Sequence, residues 1–249
     1  MKILATDIGH SRISMGCFEN HVLSWRRDIE TSKFIDDINL PVALNPDICV
    51  ISRVSLPALA AENALRHALH CQILSVNTAD SPLVVRYAHP EKLGHDRIAN
   101  ALGARYHAPE GAIVVDLGTA THFDIVDPEG VFLGGPILLG VEAMVSSLSQ
   151  RIPHLPEISP DANFDVISET TESAIDAGAI LGTAGAVEKI VRTITHQLGF
   201  KPKIILTGGN APLLAPHLDY DLWLPDLTLE GLCRYALLVL ERDKNCRHE

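Results

Sequence analysis

Three aspartates stand where the chain changes direction: Asp7, Asp96 and Asp116. Asp7 follows the apolar run Ile3-Leu4-Ala5 and precedes Gly9 and Ser11. Asp116 follows Ile113-Val114-Val115 and precedes Gly118, Thr119, Ala120 and Thr121. Each time a run of the kind that makes a buried strand meets Asp-x-Gly and a hydroxyl. A second apolar stretch follows, Ile13 to Phe18 in one case and Phe123 to Val126 in the other. Strand, tight turn and returning strand make a hairpin whose tip shows backbone N–H groups and hydroxyls, which suit phosphate oxygens. The aspartate suits a metal ion or a metal-bound water. A turn-capping aspartate is the plain alternative at each site. Recurrence a little over a hundred residues apart favours chemistry, and suggests a duplicated architecture with two phosphate-facing hairpins across one cleft.

The third aspartate lies in the loop Tyr87-Ala88-His89-Pro90-Glu91-Lys92-Leu93-Gly94-His95-Asp96-Arg97. Ile98, Ala101, Leu102 and Arg105 then keep helical spacing, and the helix is expected to stop before Pro109. Asp96 sits at or next to the start of that helix, where an N-cap is the ordinary use of aspartate. Against that reading, Gly94, Asp96 and Arg97 bunch a carboxylate, a guanidinium and a flexible backbone just before the second hairpin.

The elements that would position these groups follow from periodicity and breakers. Val22 to Trp25 suggests a third strand, and Ile48 to Ser52 a buried one. Ser55 and Pro57 read as N-cap and first-turn residues of a helix through Leu69. Ile73 to Val76 and Leu83 to Tyr87 are short strand candidates. A helix is expected from about Gly140 to Gln150, and an ordered loop over 152–170, which holds Pro153, Pro156 and Pro160. Thr171 to Leu198 reads as a long helix with interruptions. Its small residues Ala174, Gly178, Gly182 and Gly185 recur every three or four positions and would let another helix approach, by internal packing or at a subunit interface. Ile204 to Leu206 runs into Gly208-Gly209-Asn210, either a cradle for a nucleotide sugar or base or a tight strand-to-helix turn. Residues 228–241 suggest a closing amphipathic helix, followed by a fraying polar tail, Arg242 to Glu249. Neither G-x-G-x-x-G nor G-x-x-x-x-G-K-[ST] occurs, so dinucleotide-binding and P-loop readings lack their motif.

Composition narrows the classes. The chain has 249 residues, 47% of them hydrophobic, enough to bury a full core in one large or two smaller domains. A net charge of −11 argues against nucleic acid or an anionic membrane surface as partner. The five cysteines are scattered and form no C-x-x-C, which suits a reducing compartment rather than disulfides or zinc. The chain opens directly into a strand, with no signal peptide and no apolar run of the roughly eighteen residues that a membrane span needs. A cytoplasmic protein is expected.

Taken together, these motifs resemble the type III pantothenate kinases of bacteria, within the superfamily of acetate and sugar kinases, chaperones and actin. The likeness runs the whole length. It is carried by Asp7-Ile8-Gly9, by Pro90-Glu91-x-Leu93-Gly94-x-Asp96-Arg97-x-Ala99-Asn100, and by Val115-Asp116-x-Gly118-Thr119-Ala120-Thr121. Phe132-Leu133-Gly134-Gly135, Thr171-Glu172-Ser173, Leu206-Thr207-Gly208-Gly209 and Asp226 to Leu232 continue it. The resemblance implies an α/β fold of two ribonuclease-H-like (actin-like ATPase) lobes, each a mixed sheet flanked by helices, over 1–110 and 111–249. It implies a homodimer and ATP-dependent phosphorylation of pantothenate to 4′-phosphopantothenate, the first step of coenzyme A biosynthesis. It also implies Mg2+ and a monovalent cation, K+ or NH4+.

Residue roles are carried over on the same footing. Asp96 matches the catalytic base. Gly94, His95, Asp96 and Arg97 match the substrate loop, with Tyr87 and Thr171 as further pantothenate contacts, although Thr170 adjoins Thr171 and the match could slip by one. Asp7 matches the first phosphate turn and a magnesium site reached through water; Ile8, Gly9, His10, Ser11 and Arg12 line that turn toward ATP. Asp116 matches the monovalent-cation ligand, and Thr119 a phosphate-contacting hydroxyl. The chain departs from the family pattern at His10 and Arg12, where amides are usual, and at His122, where a threonine is usual. The two histidines are either solvated loop residues or approach each other and alter nucleotide or metal preference. Two other functions stay open: a kinase of another small hydroxylated metabolite, and an impaired homologue acting as a regulatory accessory factor.

Overall fold

The two apolar runs that end in Asp-x-Gly each become an inner strand of a sheet. In the computed structural model, which describes residues 1–34, 40–41, 44–53, 58–79 and 81–245, these strands are β1 (Lys2–Ile8) and β6 (Ala112–Leu117). Antiparallel to β1 lies β2 (Arg12–Glu19), which pairs on to β3 (Val22–Glu30). On its other side β4 (Ile48–Arg53) is parallel, followed by parallel β5 (Gln72–Ser75). The sheet order is β3-β2-β1-β4-β5. The second sheet repeats it. β7 (Ala120–Val126) is antiparallel to β6, and β10 (Lys203–Thr207) is parallel to it. With β8 (Phe132–Gly134) and β11 (Leu222–Trp223) the order is β11-β10-β6-β7-β8, and β9 (Ile137–Leu139) also pairs with β7. The chain is α/β, with two mixed sheets of matching topology and helices beside them.

By compactness, Met1–Pro109, Gly130–Leu133 and Asp226–Glu249 form one unit, and Glu110–Glu129 with Gly134–Pro225 form the other. In the first, Leu4, Ile8, Ile13, Met15, Phe34, Cys49, Ile51 and Leu65 make one apolar cluster. β4 is buried over five consecutive residues, as a strand covered on both faces must be, whereas β3 alternates exposed and half-buried residues. That alternation carries β3 past Trp25 to Glu30, further than its polar Arg26-Arg27-Asp28 suggests, because Arg27 lies on the half-buried face.

The helices are α1 (Ala58–Ala68), α2 (His95–His107), α3 (Val141–Arg151), α4 (Thr171–Gln197), the short α5 (Ala211–Leu214) and α6 (Leu227–Asn245). Ser55 and Pro57, the expected start of α1, lie outside the described residues, as does the tail beyond Asn245. Arg242 to Asn245 do not fray; they complete α6. Leu83 to Tyr87 is not a strand. Only Val85 bridges Phe132, with the Phe132 N–H donating to the Val84 carbonyl and the Arg86 N–H to the Phe132 carbonyl, both 2.9 Å. A single-residue partner supports no ladder. α4 runs unbroken over 27 residues despite its glycines, anchored by buried Ile175, Ala179, Ile180, Val187 and Ile194. No helix among the described residues is long and apolar enough to cross a membrane.

Candidate active site

In the first unit, three short connections meet at one end of the sheet. β1 ends at Asp7-Ile8, and the parallel register sets Asp7 beside Ser52 and Ile8 beside Arg53 at the end of β4. The Arg53 N–H donates to Nδ1 of His95, the first residue of α2, at 3.1 Å. The start of α2, with Asp96, and the turn after Asp7 therefore share the carboxyl edge of β1 and β4, the edge where open α/β sheets bind ligands.

The Asp7 turn is tight because Gly9 is a glycine. Its N–H donates to the Arg12 carbonyl at 3.0 Å, and a Cβ on Gly9 would stand 2.7 Å from that carbonyl oxygen. Thr31 holds the turn from outside, its hydroxyl donating to the Gly9 carbonyl at 3.1 Å and its N–H to the Ser11 carbonyl at 3.0 Å. Asp7 is half-buried and Ile8 buried, while His10, Ser11 and Arg12 are exposed.

Asp96 is not the N-cap of α2. Gly94 occupies that position without a side-chain cap, and Asp96 lies in the first turn, where its Oδ1 accepts the Arg97 N–H at 2.9 Å. The carboxylate folds back over Gly94 so closely that a Cβ there would fall on Oδ1. Gly94 is thus the space that Asp96 occupies. His95 is half-buried with its Nδ1 engaged by Arg53, so its ring proton lies on Nε2. Burial pushes its pKa below the ordinary value, and the Arg53 charge pushes it the same way.

Phe132 is a residue that sequence reasoning missed. Its main chain bridges Val84 and Arg86, next to Tyr87, and its ring lies 5.4 Å from the guanidinium carbon of Arg97. The exposed Tyr87 and the buried Arg97 are thereby brought to the same side chain. The motif Phe132-Leu133-Gly134-Gly135 marked the position without showing its work.

In the second unit the hairpin β6–β7 turns at Gly118-Thr119, with the Gly118 N–H donating to the Ala120 carbonyl at 3.2 Å. The turn is gripped from two sides. Asn210 donates its N–H to the Leu117 carbonyl at 2.8 Å and its side-chain amide to the Gly118 carbonyl at 3.2 Å. Gly140, the N-cap of α3, donates its N–H to the Thr119 carbonyl at 3.0 Å, and a Cβ on it would collide with the Gly118 carbonyl. Gly208 has φ of 93°, and a Cβ there would lie 2.5 Å from Asp116 Oδ1. The double-glycine turn is therefore a tight strand-to-helix turn that carries the hairpin tip. The amino end of the eleven-residue α3 also faces Thr119, adding its N–H groups and dipole to a turn suited to anions.

Asp116 has His122 as its cross-strand partner, with Nε2 3.5 Å from Asp116 Oδ2. On its other side, Nδ1 of His122 lies 3.2 Å from Asp124 Oδ2. His122 is 7% exposed and belongs to β7, so it is no solvated loop residue. Thr171 is exposed in the first turn of α4, whose cap is Thr170, the hydroxyl accepting the Ser173 N–H at 3.2 Å.

Comparison with known proteins agrees over most of the chain. The family model for type III pantothenate kinase matches residues 3–193. The type III pantothenate kinase of Thermomicrobium roseum is 33% identical, over 92% of this chain and 95% of that protein. The type III pantothenate kinase of Thermus thermophilus is 32% identical, over 94% and 98%. Among solved structures, one from Campylobacter jejuni described as a Baf family transcriptional activator superposes with TM-score 0.63 at 20% identity, covering 97% of this chain and 99% of that one. A ROK family glucokinase from Streptomyces griseus superposes with TM-score 0.56 at 12% identity, over 95% and 99%. At these identities the structural likeness establishes the shared fold.

Proposed function

Because the chain belongs to the type III pantothenate kinase family, we propose that it transfers the γ-phosphoryl group of ATP to the hydroxyl of pantothenate. The product is 4′-phosphopantothenate and the step is the first of coenzyme A biosynthesis. The observation that carries this reading is the junction of β1, β4 and α2, where a glycine-backed carboxylate stands at the same sheet edge as an Asp-x-Gly turn.

Phosphoryl transfer asks the protein for positioning, charge stabilisation and a group that takes the hydroxyl proton. Asp96 takes that proton, held in one orientation by the Arg97 N–H and the open space over Gly94. Tyr87, Gly94, His95, Arg97 and Thr171 form the pantothenate contacts. His95 offers its Nε2–H, since Nδ1 is spent on Arg53. Ile8, Gly9, His10, Ser11 and Arg12 in the first unit, and Thr119 in the second, serve the ATP phosphates. The half-buried carboxylate of Asp7 is a hard oxygen donor that fits a hydrated magnesium ion. Magnesium, when bound, neutralises phosphate charge.

The two ribonuclease-H-like lobes are read as 1–110 and 111–249, with the closing helix α6 gathered into the first compact unit. A homodimer and a cytoplasmic setting belong to the same proposal. The dimer is supported by α4, where a Cβ on Gly178, Gly182 or Gly185 would meet nothing within 4 Å among the described residues.

Coupled-assay rates with ATP, magnesium and pantothenate test this reading. Wild type should turn over, and Asp96→Asn should lose on the order of 10²-fold or more in kcat. No wild-type turnover at millimolar ATP would favour the regulatory reading. Turnover that survives Asp96→Asn removes Asp96 as base.

A further inference from the structure

Two carboxylates and one imidazole meet beside the second phosphate turn. Asp124 is fully buried, and Asp116 keeps 13% of its side chain exposed. His122 lies between them, 3.2 Å from one and 3.5 Å from the other. The Nδ1 approach to Asp124 is a charge contact rather than an aligned hydrogen bond. An ionised carboxylate offers only lone pairs, so an imidazole with one on each side serves both only with a proton on each nitrogen. Carboxylates this deep also need a positive partner. His122 is thus a fixed cation at the base of the hairpin that presents Gly118 and Thr119.

Family resemblance places a potassium or ammonium ion at Asp116. An alkali cation is held by a shell of oxygens that replaces its water. Here the cross-strand neighbour of Asp116 is an imidazole nitrogen. Among the described residues, no group of three His, Cys, Asp or Glu side chains is arranged to hold a metal ion. The donor set does not fit a monovalent cation.

We propose that His122, gripped between Asp116 and Asp124, takes the place of that cation, so that phosphoryl transfer in this protein needs neither potassium nor ammonium. The proposal rests on reading the Gly118–Thr119 turn as phosphate-binding. A tethered charge has no dissociation equilibrium, so the field at the turn would not vary with the salt outside. The usual threonine has no charge and would leave room for an ion.

The test compares wild type with His122→Thr in choline chloride, potassium chloride and ammonium chloride at equal ionic strength. Two quantities are read: pantothenate phosphorylation, and the thermal unfolding midpoint of the nucleotide-free protein. The wild-type rate should change less than about twofold between salts. His122→Thr should fall on the order of tenfold or more in choline and recover with potassium, as loss and replacement of one electrostatic stabiliser predicts. The wild-type midpoint should ignore potassium, while that of His122→Thr should rise with it, because an ion that binds only the folded state stabilises it. A wild type activated tenfold or stabilised by potassium overturns the proposal, and needs no variant if His122→Thr does not fold. A folded His122→Thr indifferent to potassium overturns it too. If no salt supports turnover, the kinase reading fails, and the unfolding midpoints alone decide the role of His122.

Discussion

At the scale of single residues, the three aspartates were legible because strand, Asp, glycine and hydroxyl follow one another in the chain. What each carboxylate does was less so. Asp is so favoured as an N-cap that Asp96 invited that reading; in the fold Gly94 is the cap and Asp96 bonds the next N–H. The partners of His122 were also hidden. Register puts Asp116 opposite it, and alternation puts Asp124 on its face, but β7 is buried from Thr121 to Val126, so no polar stripe gave the pairing away. Gly94 supplies the sharpest residue-scale prediction. Its φ of −59° suits alanine, so Gly94→Ala should fold, yet the new Cβ must displace the Asp96 carboxylate. We expect kcat to fall on the order of 10²-fold, the effect of roughly an ångström of misplacement, with the unfolding midpoint nearly unchanged. Equal kcat in the two proteins would show that the tight approach of Asp96 to Gly94 has no part in catalysis.

At the scale of elements, periodicity found the hairpins, β4 and the long helices, since each buries a continuous apolar face. It overreached at Leu83–Tyr87, whose apolar residues serve a single bridge to Phe132. The joints between elements carry the site, and two of them can be tested. β4 meets α2 through the imidazole of His95, and burial together with Arg53 holds that imidazole's pKa below 6.5, against the weaker opposite pull of Asp96 and Glu62. The unfolded chain therefore binds a proton that the folded chain refuses. The stabilising effect is complete above pH 6.5 and is lost as pH falls from there toward the folded pKa. Urea unfolding of wild type at a series of pH values should show this acid-side loss. His95→Asn, which keeps an acceptor for the Arg53 N–H, should show a shallower one; parallel curves would assign the acid sensitivity elsewhere. α2 and α6 cross where Gly231 lies on the Ala99 backbone and a Cβ at Gly103 would stand 2.8 Å from the Leu227 carbonyl oxygen. Backbone cannot yield as a side chain can, so Gly231→Ala should cost about 1–3 kcal/mol or more in urea unfolding. A cost below about 0.5 kcal/mol would mean that the crossing is looser than this contact implies.

At the scale of the whole molecule, the repeated turn announced a duplication, and the two sheets confirm it with one strand order used twice. Less legible was the small-residue stripe of α4, whose spacing fits packing inside the chain and packing against another copy equally well. The fold separates the two. Ala174, Gly178, Gly182 and Gly185 lie exposed on α4, opposite buried Ile175, Ala179, Ile180 and Val187, and no Cβ added to the glycines finds a neighbour among the described residues. Glycine costs a helix interior about 1 kcal/mol relative to alanine, so three on one exposed face cost stability without a gain inside the monomer. Close approach of a second helix supplies that gain, and a second copy of the chain presents the same stripe under two-fold symmetry. A glutamate at Gly182 would meet open space in the monomer, so Gly182→Glu should leave the fold intact by circular dichroism. It would put a bulky charge into a dimer seam from both sides. Sedimentation velocity should then find wild type as a dimer and Gly182→Glu as a monomer at micromolar concentration. A variant that stays dimeric moves the interface off α4, and a monomeric wild type removes the dimer from the proposal.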